Sequence, residues 1–222
     1  MQKDNFIQKV WRNFLDLIFP ISYNHNFLNN LTAEKFLALT VPAQTPPIPN
    51  TLAIVSYKNK LVKKAIWSLK FRNNQELAKL FAEILYDNLV EELSSLNLTV
   101  NFNDPILITV PLSRQRYRER GYNQVELIAK EIVKIDQNNF FEYKKGLLKK
   151  IKNTLPQSHT KNKAHRLKNL KGCFKVVNPM AIKNQNIILL DDVTTTGATL
   201  SEAVRTLKSA GPKQIICVTL AH

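Results

Sequence analysis

Two adjacent acidic residues directly follow an apolar run near the end of the chain. Residues 187–190 are Ile-Ile-Leu-Leu, and Asp191 and Asp192 come next. A run this short and this apolar is typical of a strand that is buried on both faces. Carboxylates that are fixed at the end of such a strand would stabilise positive charge developing on a reacting molecule, or hold a metal cation.

A loop rich in hydroxyl groups follows the acidic pair. Apolar residues recur at helical spacing between positions 200 and 210, and Gly211 and Pro212 supply a stop signal, so a helix is predicted there. The loop therefore lies at a helix N-terminus, where free backbone amides and the helix dipole favour an anion. We expect a positive φ or a close approach of a ligand at Gly197. The candidate anion-binding residues are Thr194, Thr195, Thr196, Gly197, Ala198 and Thr199.

This segment resembles the signature of type I phosphoribosyltransferases, in which four apolar residues, two acids and Thr-Gly-x-Thr follow one another. The resemblance implies that Asp191 and Asp192 face the ribose hydroxyls of phosphoribosyl pyrophosphate, act in catalysis and hold Mg²⁺. It also implies that residues 194–199 bind the 5-phosphate. The alternative is a buried strand and a capped helix that bind no ligand.

A second segment with the same layout spans residues 110–124. It leaves a predicted strand at Val110, enters a predicted helix at Tyr122 and carries four arginines within seven residues between them. Guanidinium groups match phosphate oxygens in a bidentate way. In a doubly wound sheet this segment opens on the same edge as the Asp191 loop, which favours an anion site over a merely solvated basic loop.

The two segments together resemble the ComF/GntX branch of phosphoribosyltransferase-like proteins. Members carry Val-Pro-Leu, spaced arginines and Arg-Gly-Tyr-Asn-Gln, as residues 110–112 and 120–124 do here, and residues 68–72 and 172–174 are also similar. The resemblance implies a role in DNA uptake during natural transformation, with single-stranded DNA and the uptake machinery as partners. It implies that the following residues border the pyrophosphate, bind its oxygens or fix the loop: Leu112, Ser113, Arg116, Arg120, Asn123 and Gln124.

The N-terminal region departs from this family. Many relatives carry a four-cysteine zinc finger after a Leu-Asp-Leu-Phe-Pro helix, and here residues 15–20 are similar but the cysteines are absent. The two cysteines of the chain, Cys173 and Cys217, are too few for such a site or for a disulfide framework, so we expect no zinc and two buried thiols. Residues 7–18 form a predicted amphipathic helix, which we expect to pack on its own domain or on a sister subunit rather than on a membrane. Homo-oligomerisation is left open.

The chain divides at a proline-rich stretch. Residues 42–49 are predicted to be a stiff, extended linker, so we assign an N-terminal appendage to residues 1–50 and a phosphoribosyltransferase-like domain to residues 51–222. In the second part, strands alternate with helices, which predicts an α/β fold with a doubly wound, mostly parallel sheet. The apolar run near the N-terminus is too short to span a bilayer and lacks a cleavage site, so we expect a cytoplasmic protein.

The net charge of +15 indicates an anionic partner, whether nucleic acid, an acidic membrane surface or a polyphosphorylated small molecule. Ten lysines and arginines, and no acid, lie between residues 144 and 171. This basic segment is a solvated loop, a lid over pyrophosphate or a surface for a nucleic-acid backbone. The nearby aromatic residues that could stack on DNA bases are Tyr117, Tyr122, Phe140, Phe141 and Tyr143.

Two functions are compatible with these patterns. In the first, the pocket binds phosphoribosyl pyrophosphate or a nucleotide while the basic surface handles single-stranded DNA. In the second, the protein is a magnesium-dependent phosphoribosyltransferase that acts on an unidentified base or amine. A general base would favour the enzyme, and none is evident in the matched motifs. No pattern supports an ATPase or a dinucleotide-binding protein. The sequence therefore favours a transferase-fold protein that serves DNA uptake.

Overall fold

The computed structural model describes residues 27–153 and 170–222, and a parallel sheet of five strands lies at its centre. These strands are β1 (Thr51–Val55), β2 (Ile106–Thr109), β3 (Glu142–Tyr143), β6 (Asn186–Val193) and β7 (Gln214–Ala221). Their spatial order is β1-β7-β6-β2-β3, and every neighbouring pair is parallel. The two remaining strands, β4 (Leu148–Lys150) and β5 (Phe174–Val176), form a separate antiparallel ribbon. The predicted α/β fold with a mostly parallel sheet is confirmed.

The helices that lie wholly within the described residues are α1 (Ala33–Ala38), α2 (Lys60–Arg72), α3 (Gln75–Val100), α4 (Arg114–Arg120), α5 (Gln124–Ile135) and α6 (Ala198–Lys208), and a 3₁₀ turn spans Pro179–Ala181. The helical patterns after residue 60 predicted α2, α3, α5 and α6. They did not predict α1 or α4, which are too short to show a clear periodicity. The amphipathic helix predicted for residues 7–18 lies outside the described residues.

Asparagine supplies many of the helix boundaries, in keeping with a chain of only five glycines. Asn59, Asn74 and Asn123 are N-caps whose side-chain oxygens accept backbone hydrogen bonds from the first turns of α2, α3 and α5. Asn73 and Asn101 take left-handed conformations at the ends of α2 and α3, a position that glycine usually fills. Asparagine thus both starts and stops the helices that flank the sheet.

Strand β6 contributes side chains to two hydrophobic cores, one on each face of the sheet. Side chains alternate between the two faces of a strand, so Ile188 and Leu190 face one core while Ile187 and Leu189 face the other. The first core contains the buried sides of α2, α3 and α5, and the second contains that of α6 together with the β4–β5 ribbon. Helices therefore cover both faces, as expected of a doubly wound sheet.

The chain before β1 packs on the same body. Phe36 of α1 is fully buried in the core that contains α3, and Pro42 forms an antiparallel bridge with Val55 of β1. Ile48 packs against the core on the α6 side. Residues 42–50 thus run along the sheet, and the domain boundary at residue 50 stays a prediction. Among the residues described, helices long and apolar enough to cross a bilayer are absent.

Both cysteines are buried and free, as predicted. Burial raises the pKa of the Cys217 thiol to about 12 and also raises the pKa of Cys173. Because the thiolate is the reactive form, neither thiol is reactive near neutral pH.

Candidate functional site

The acidic pair lies within β6, which continues one residue past it to Val193. Alternation along the strand therefore turns the two acids to opposite faces of the sheet. Asp192 points to the side of α2 and α5, and Asp191 to the side of α6 and the β4–β5 ribbon. The sequence interpretation treated the acids as an equivalent pair, and the structure places each in its own surroundings.

Asp192 is held by a cation and an amide. Its Oδ2 atom lies 2.8 Å from Nζ of Lys70, which projects from α2, and 3.1 Å from Nε2 of Gln124, which donates to it from the first turn of α5. The carboxylate side chain is only 5% exposed, so both contacts are shielded from water. Lys70 is a site residue that sequence reasoning missed, although residues 68–72 were already part of the family resemblance.

Asp191 is also buried, and its surroundings oppose ionisation. Burial, together with the charge of Asp192, raises the pKa of its carboxyl group from 3.8 to about 8. Lys70 and Lys150 lower the pKa, and so does a hydrogen bond of 2.9 Å that Oδ1 accepts from the backbone amide of Asp192, but burial outweighs them. Asp191 therefore holds its proton more tightly than an exposed carboxyl group does.

The hydroxyl-rich loop connects β6 to α6 as predicted. Thr194 is buried and its amide donates to the carbonyl of Ala221, which fixes the start of the loop against the end of β7. The hydroxyl oxygens of Thr194 and Thr196 are buried without a hydrogen-bond partner in the described part of the chain. Thr195 is exposed, and Thr199 is partly buried in the first turn of α6. Buried hydroxyls of this kind are rare unless a ligand or water satisfies them.

Gly197 has the positive φ that the sequence predicted, at 75°. It precedes Ala198 at the N-terminus of α6, and no side chain of the described ranges caps this helix. The atoms that lie close to Gly197 belong to the protein and not to a ligand. A Cβ atom at this position would lie 2.6 Å from Cγ1 of Ile48. The glycine is therefore required by backbone conformation and by the packing of residues 47–48.

The four arginines lie on a helix, α4, which separates them into two pairs. Residues two positions apart on a helix differ by about 200° in direction. Arg116 and Arg120 are partly buried, whereas Arg114 and Arg118 are exposed on the other side. Burial lowers the pKa of the Arg120 guanidinium, Asp192 opposes this shift and Arg116 adds to it, which places Arg120 near both groups. The predicted basic loop is thus a helix that turns Arg116 and Arg120 to one side, where Arg120 lies near Asp192, and turns Arg114 and Arg118 to a cleft on the other side.

The Arg-Gly-Tyr-Asn-Gln motif positions the site. An Nη atom of Arg120 donates to Oε1 of Gln124 at 3.0 Å, so Gln124 links Arg120 to Asp192. Asn123 donates to the carbonyl of Val110 and caps α5, which joins the end of β2 to the start of that helix. Of the two roles predicted for Asn123, these contacts favour fixing the loop. Ser113 likewise caps α4 through its hydroxyl oxygen, next to Leu112.

Tyr122 joins this motif to the end of α2. Its hydroxyl donates to the carbonyl of Leu69 and accepts from the amide of Asn73, each at 2.8 Å. Burial raises the pKa of Tyr122 to about 12. Both contacts keep α2, and hence Lys70, in register with α5. The hydroxyl group of Tyr122 is therefore engaged by two backbone partners.

A basic cleft of about 690 Å³ lies between α4 and the ribbon, lined by Arg114, Gln115, Arg118, Lys149, Lys150, Ile151 and Asn153. It contains four cations and no acid. Burial lowers the pKa of the Lys150 ammonium, with a further contribution from Arg116, while Cys173 and Asp191 oppose the shift. Lys150 therefore lies between the cleft and the acidic pair, so the two anion-binding regions adjoin.

The basic segment 144–171 is described at its two ends, which the ribbon β4–β5 holds side by side. The amide of Ile151 donates to the carbonyl of Cys173 at 2.8 Å, and the amide of Gly172 donates to Glu202 of α6 at 2.5 Å. Residues 154–169, which carry four of the ten cations, lie outside the described residues, so the choice between a lid and a DNA surface stays open. Among the aromatic candidates, Phe141 is buried, whereas Tyr117 is 49% exposed on α4.

Comparison with known proteins gives consistent matches. The model of the phosphoribosyl transferase domain family matches residues 145–222. Competence protein ComFC of Streptococcus pneumoniae is 30% identical over 170 residues, which cover 77% of this chain and 67% of that protein. DNA utilization protein YhgH of Escherichia coli (strain K12) is 26% identical over 175 residues, 78% of this chain and 73% of that protein. The solved hypoxanthine phosphoribosyl transferase of Trypanosoma cruzi aligns with 66% of this chain and 65% of its own at 12% identity, with a TM-score of 0.41.

Proposed function

The chain belongs to the ComF family of competence proteins, and from this premise we propose that it binds phosphoribosyl pyrophosphate and serves DNA uptake by handling single-stranded DNA. The names of its relatives, which refer to competence and to DNA utilization, support the second part. The arrangement at the end of β6 supports the first.

One observation carries the ligand proposal. Two buried, unpartnered threonine hydroxyls and the uncapped N-terminus of α6 lie directly after a pair of carboxylates. The amides and hydroxyls suit the 5-phosphate, and the carboxylates suit the ribose hydroxyls, to which charged acceptors make strong hydrogen bonds. A ribose 5-phosphate carries both groups, and the chain offers partners for both one after the other at the end of β6.

The pyrophosphate would lie toward the cations that surround this loop. Arg116 and Arg120 approach from α4, and Lys150 from the ribbon. Each of these side chains is partly or largely buried, so its attraction for an anion is screened less than that of a surface residue. The lowered pKa values of Arg120 and Lys150 indicate that an incoming anion would relieve unfavourable burial of their charge.

A magnesium ion fits the donor set. Mg²⁺ is commonly bound by one or two carboxylates together with substrate phosphates. Asp191 and Asp192 face opposite sides of β6, so one of them would provide the carboxylate and substrate phosphates would supply further ligands. Groups of three or more metal-ligating side chains are not found in the residues that the structure describes. When bound, the ion would neutralise charge on the pyrophosphate.

The second candidate is turnover, that is, transfer of the phosphoribosyl group to a base or amine. The observation that favours it is the fixed position of Asp192, which Lys70 and Gln124 hold before any substrate arrives. A carboxylate held in this way stabilises positive charge on the ribose ring without reorganisation. Release of pyrophosphate in the presence of a panel of bases and amines would establish turnover, and binding without release would leave the ligand as an effector.

The ligand proposal is tested by calorimetric titration with phosphoribosyl pyrophosphate and Mg²⁺. Replacing both Asp191 and Asp192 by Asn keeps their size and removes charge-assisted hydrogen bonds worth about 1.5 to 3 kcal/mol each, so affinity should fall at least about tenfold. Asp136→Asn is the matched control, because Asp136 is also buried and accepts hydrogen bonds but lies away from the site, at the end of α5. Unchanged affinity in the folded double variant would show that the carboxylates do not contact the ligand.

The DNA proposal is tested through its salt dependence. If single-stranded DNA runs through the basic cleft, the affinity should fall with salt at a log–log slope of about −0.7 per phosphate contacted. Changing Arg114 and Arg118 to Gln should then flatten the slope by up to about 1.4. Changing Lys208 and Lys213, two lysines distant from the cleft, to Gln is the control. An intact slope in the arginine variant would exclude the cleft as the DNA path.

A further inference from the structure

Two aromatic side chains on α2 lie beside the carboxylate site. Trp67 and Phe71 are one helical turn apart, and their ring centroids are separated by 5.4 Å. Phe71 is 42% exposed, although phenylalanine is among the residue types most often buried. Exposed aromatic surface is unfavourable in water and offers a flat face to a flat ligand.

Guanidinium groups accompany both rings. The Cζ atom of Arg72 lies 5.2 Å from the centroid of the Trp67 ring, and the Cζ atom of Arg120 lies 4.9 Å from that of the Phe71 ring. Cation–π attraction at these distances orients the rings. Aromatic rings and arginine planes are the side-chain surfaces on which nucleobases stack in protein complexes. Here they alternate within one small surface.

Two short routes connect this surface to Asp192. Lys70, the neighbour of Phe71 in the sequence, contacts Oδ2 of Asp192 directly. Arg120, which lies over Phe71, contacts Gln124, and Gln124 donates to the same oxygen. A ribose that meets Asp192 would therefore have the aromatic rings nearby, on the α2 side of the sheet. The base attached to that ribose is the part of a nucleotide that needs a flat apolar contact.

We propose that Trp67 and Phe71 form a stacking platform for a nucleobase. The base belongs either to a nucleotide whose ribose phosphate occupies the β6 loop or to single-stranded DNA that passes the site. The inference rests on the proposed ribose phosphate site for the first source and stands independently of it for the second. None of the aromatic residues that the sequence analysis singled out for stacking belongs to this platform.

The test compares pairs of ligands that differ only in the base. Adenosine 5′-monophosphate is compared with ribose 5-phosphate, and a short oligothymidylate with an abasic oligodeoxynucleotide of equal length. Base–aromatic stacking corresponds to about a 5- to 150-fold gain in affinity, so the wild-type protein should prefer the base-containing member of a pair by at least about fivefold. In Phe71→Leu, which keeps an apolar side chain without the ring, this ratio should fall towards one. Phe140→Leu changes another exposed phenylalanine, which packs beside Tyr86 away from Asp192, and should keep the ratio for the nucleotide pair.

A second readout reports on the platform directly. In a Trp11→Phe background Trp67 is the only tryptophan of the chain. Stacking of a base on the rings should quench its emission, and the ligand without a base should not. Circular dichroism of Phe71→Leu establishes that the variant is folded.

The outcomes test the stacking platform and the proposed ribose phosphate site separately. Failure of ribose 5-phosphate and phosphoribosyl pyrophosphate to bind wild-type protein would remove the ribose site, and the oligothymidylate comparison would then decide the platform alone. Equal losses for adenosine 5′-monophosphate and ribose 5-phosphate in Phe71→Leu would overturn the proposal, because Phe71 would then act through Arg120 and the carboxylates. Unaltered affinity ratios together with unquenched Trp67 emission would overturn it for both sources.

Discussion

Replacing Asp191 by Asn should stabilise the protein at neutral and alkaline pH, and should leave its stability near pH 3 unchanged. The reason is the buried position of this carboxyl group, which holds its pKa at about 8 in the folded protein against 3.8 in the unfolded chain. Asparagine preserves the hydrogen bond that the side chain accepts from the amide of Asp192 and removes the ionisation.

The sign and size of this change in stability follow from the pKa of Asp191 in the folded protein and in the unfolded chain. Well below pH 3.8 the carboxyl group is protonated in both states, so wild-type stability is fully present. As the pH rises toward 8, only the unfolded chain gives up the proton, and the wild-type protein loses up to about 1.4 kcal/mol per pH unit relative to the variant. We expect the difference in free energy of unfolding to reach roughly 2 to 5 kcal/mol by pH 8 and to stay constant above it.

Urea titrations of both proteins at intervals from pH 3 to pH 9 would measure this difference, since titrating groups away from the site cancel between them. Asp192→Asn is an informative companion, because loss of the Asp192 charge should lower the pKa of Asp191 and shift the sloping region to lower pH. A pH-independent difference between wild-type protein and Asp191→Asn would refute the assignment of a raised pKa to Asp191.

Three further expectations concern the surroundings of the site. Lys70→Met should lower the free energy of unfolding at pH 7 by about 1.5 to 3 kcal/mol, because Asp192 loses its buried cation; an unchanged urea midpoint would contradict this ion pair. Gly197→Ala should lower the free energy of unfolding more than Gly146→Ala does. Alanine costs about 1 to 2 kcal/mol in the left-handed conformation of both positions, but of these two only Gly197 has other atoms close to where the Cβ atom would lie. Equal losses would contradict the tight packing at Gly197. Tyr122→Phe should cost about 1 to 3 kcal/mol by leaving two backbone groups of the α2 terminus without their partner, and a neutral result in thermal unfolding would mean that these contacts are replaced.

Local periodicity predicted most of the fold. The apolar runs before Pro111 and Asp191 became β2 and β6, and the helical patterns after them became α5 and α6. These elements are long or strongly apolar, so the local pattern dominates. The short helices α1 and α4 escaped prediction because one or two turns show no clear period. As a result, the arginines of α4 were taken for one loop, and their division into two faces was missed.

The sequence predicted which types of residue form the site and their order along the chain, but not which of them contact one another. Sequence order placed the acidic pair, the hydroxyl-rich loop and the glycine at one strand end, and the structure has them there. The strand was predicted to end on the two acids, and β6 continues one residue further, to Val193. The period of two was not applied to the acids themselves, so their opposite directions went unnoticed.

The sequence by itself therefore determined which elements form and which residues stand at their ends, because these depend on the spacing of neighbours along the chain. Only the tertiary structure decided that Lys70 and Gln124 hold Asp192, that Lys150 approaches Asp191, and that the rings of α2 lie beside them. Contacts between residues so far apart in the chain depend on how helices pack on the sheet. Burial in that packing, which no local pattern encodes, is also what raises the pKa of Asp191.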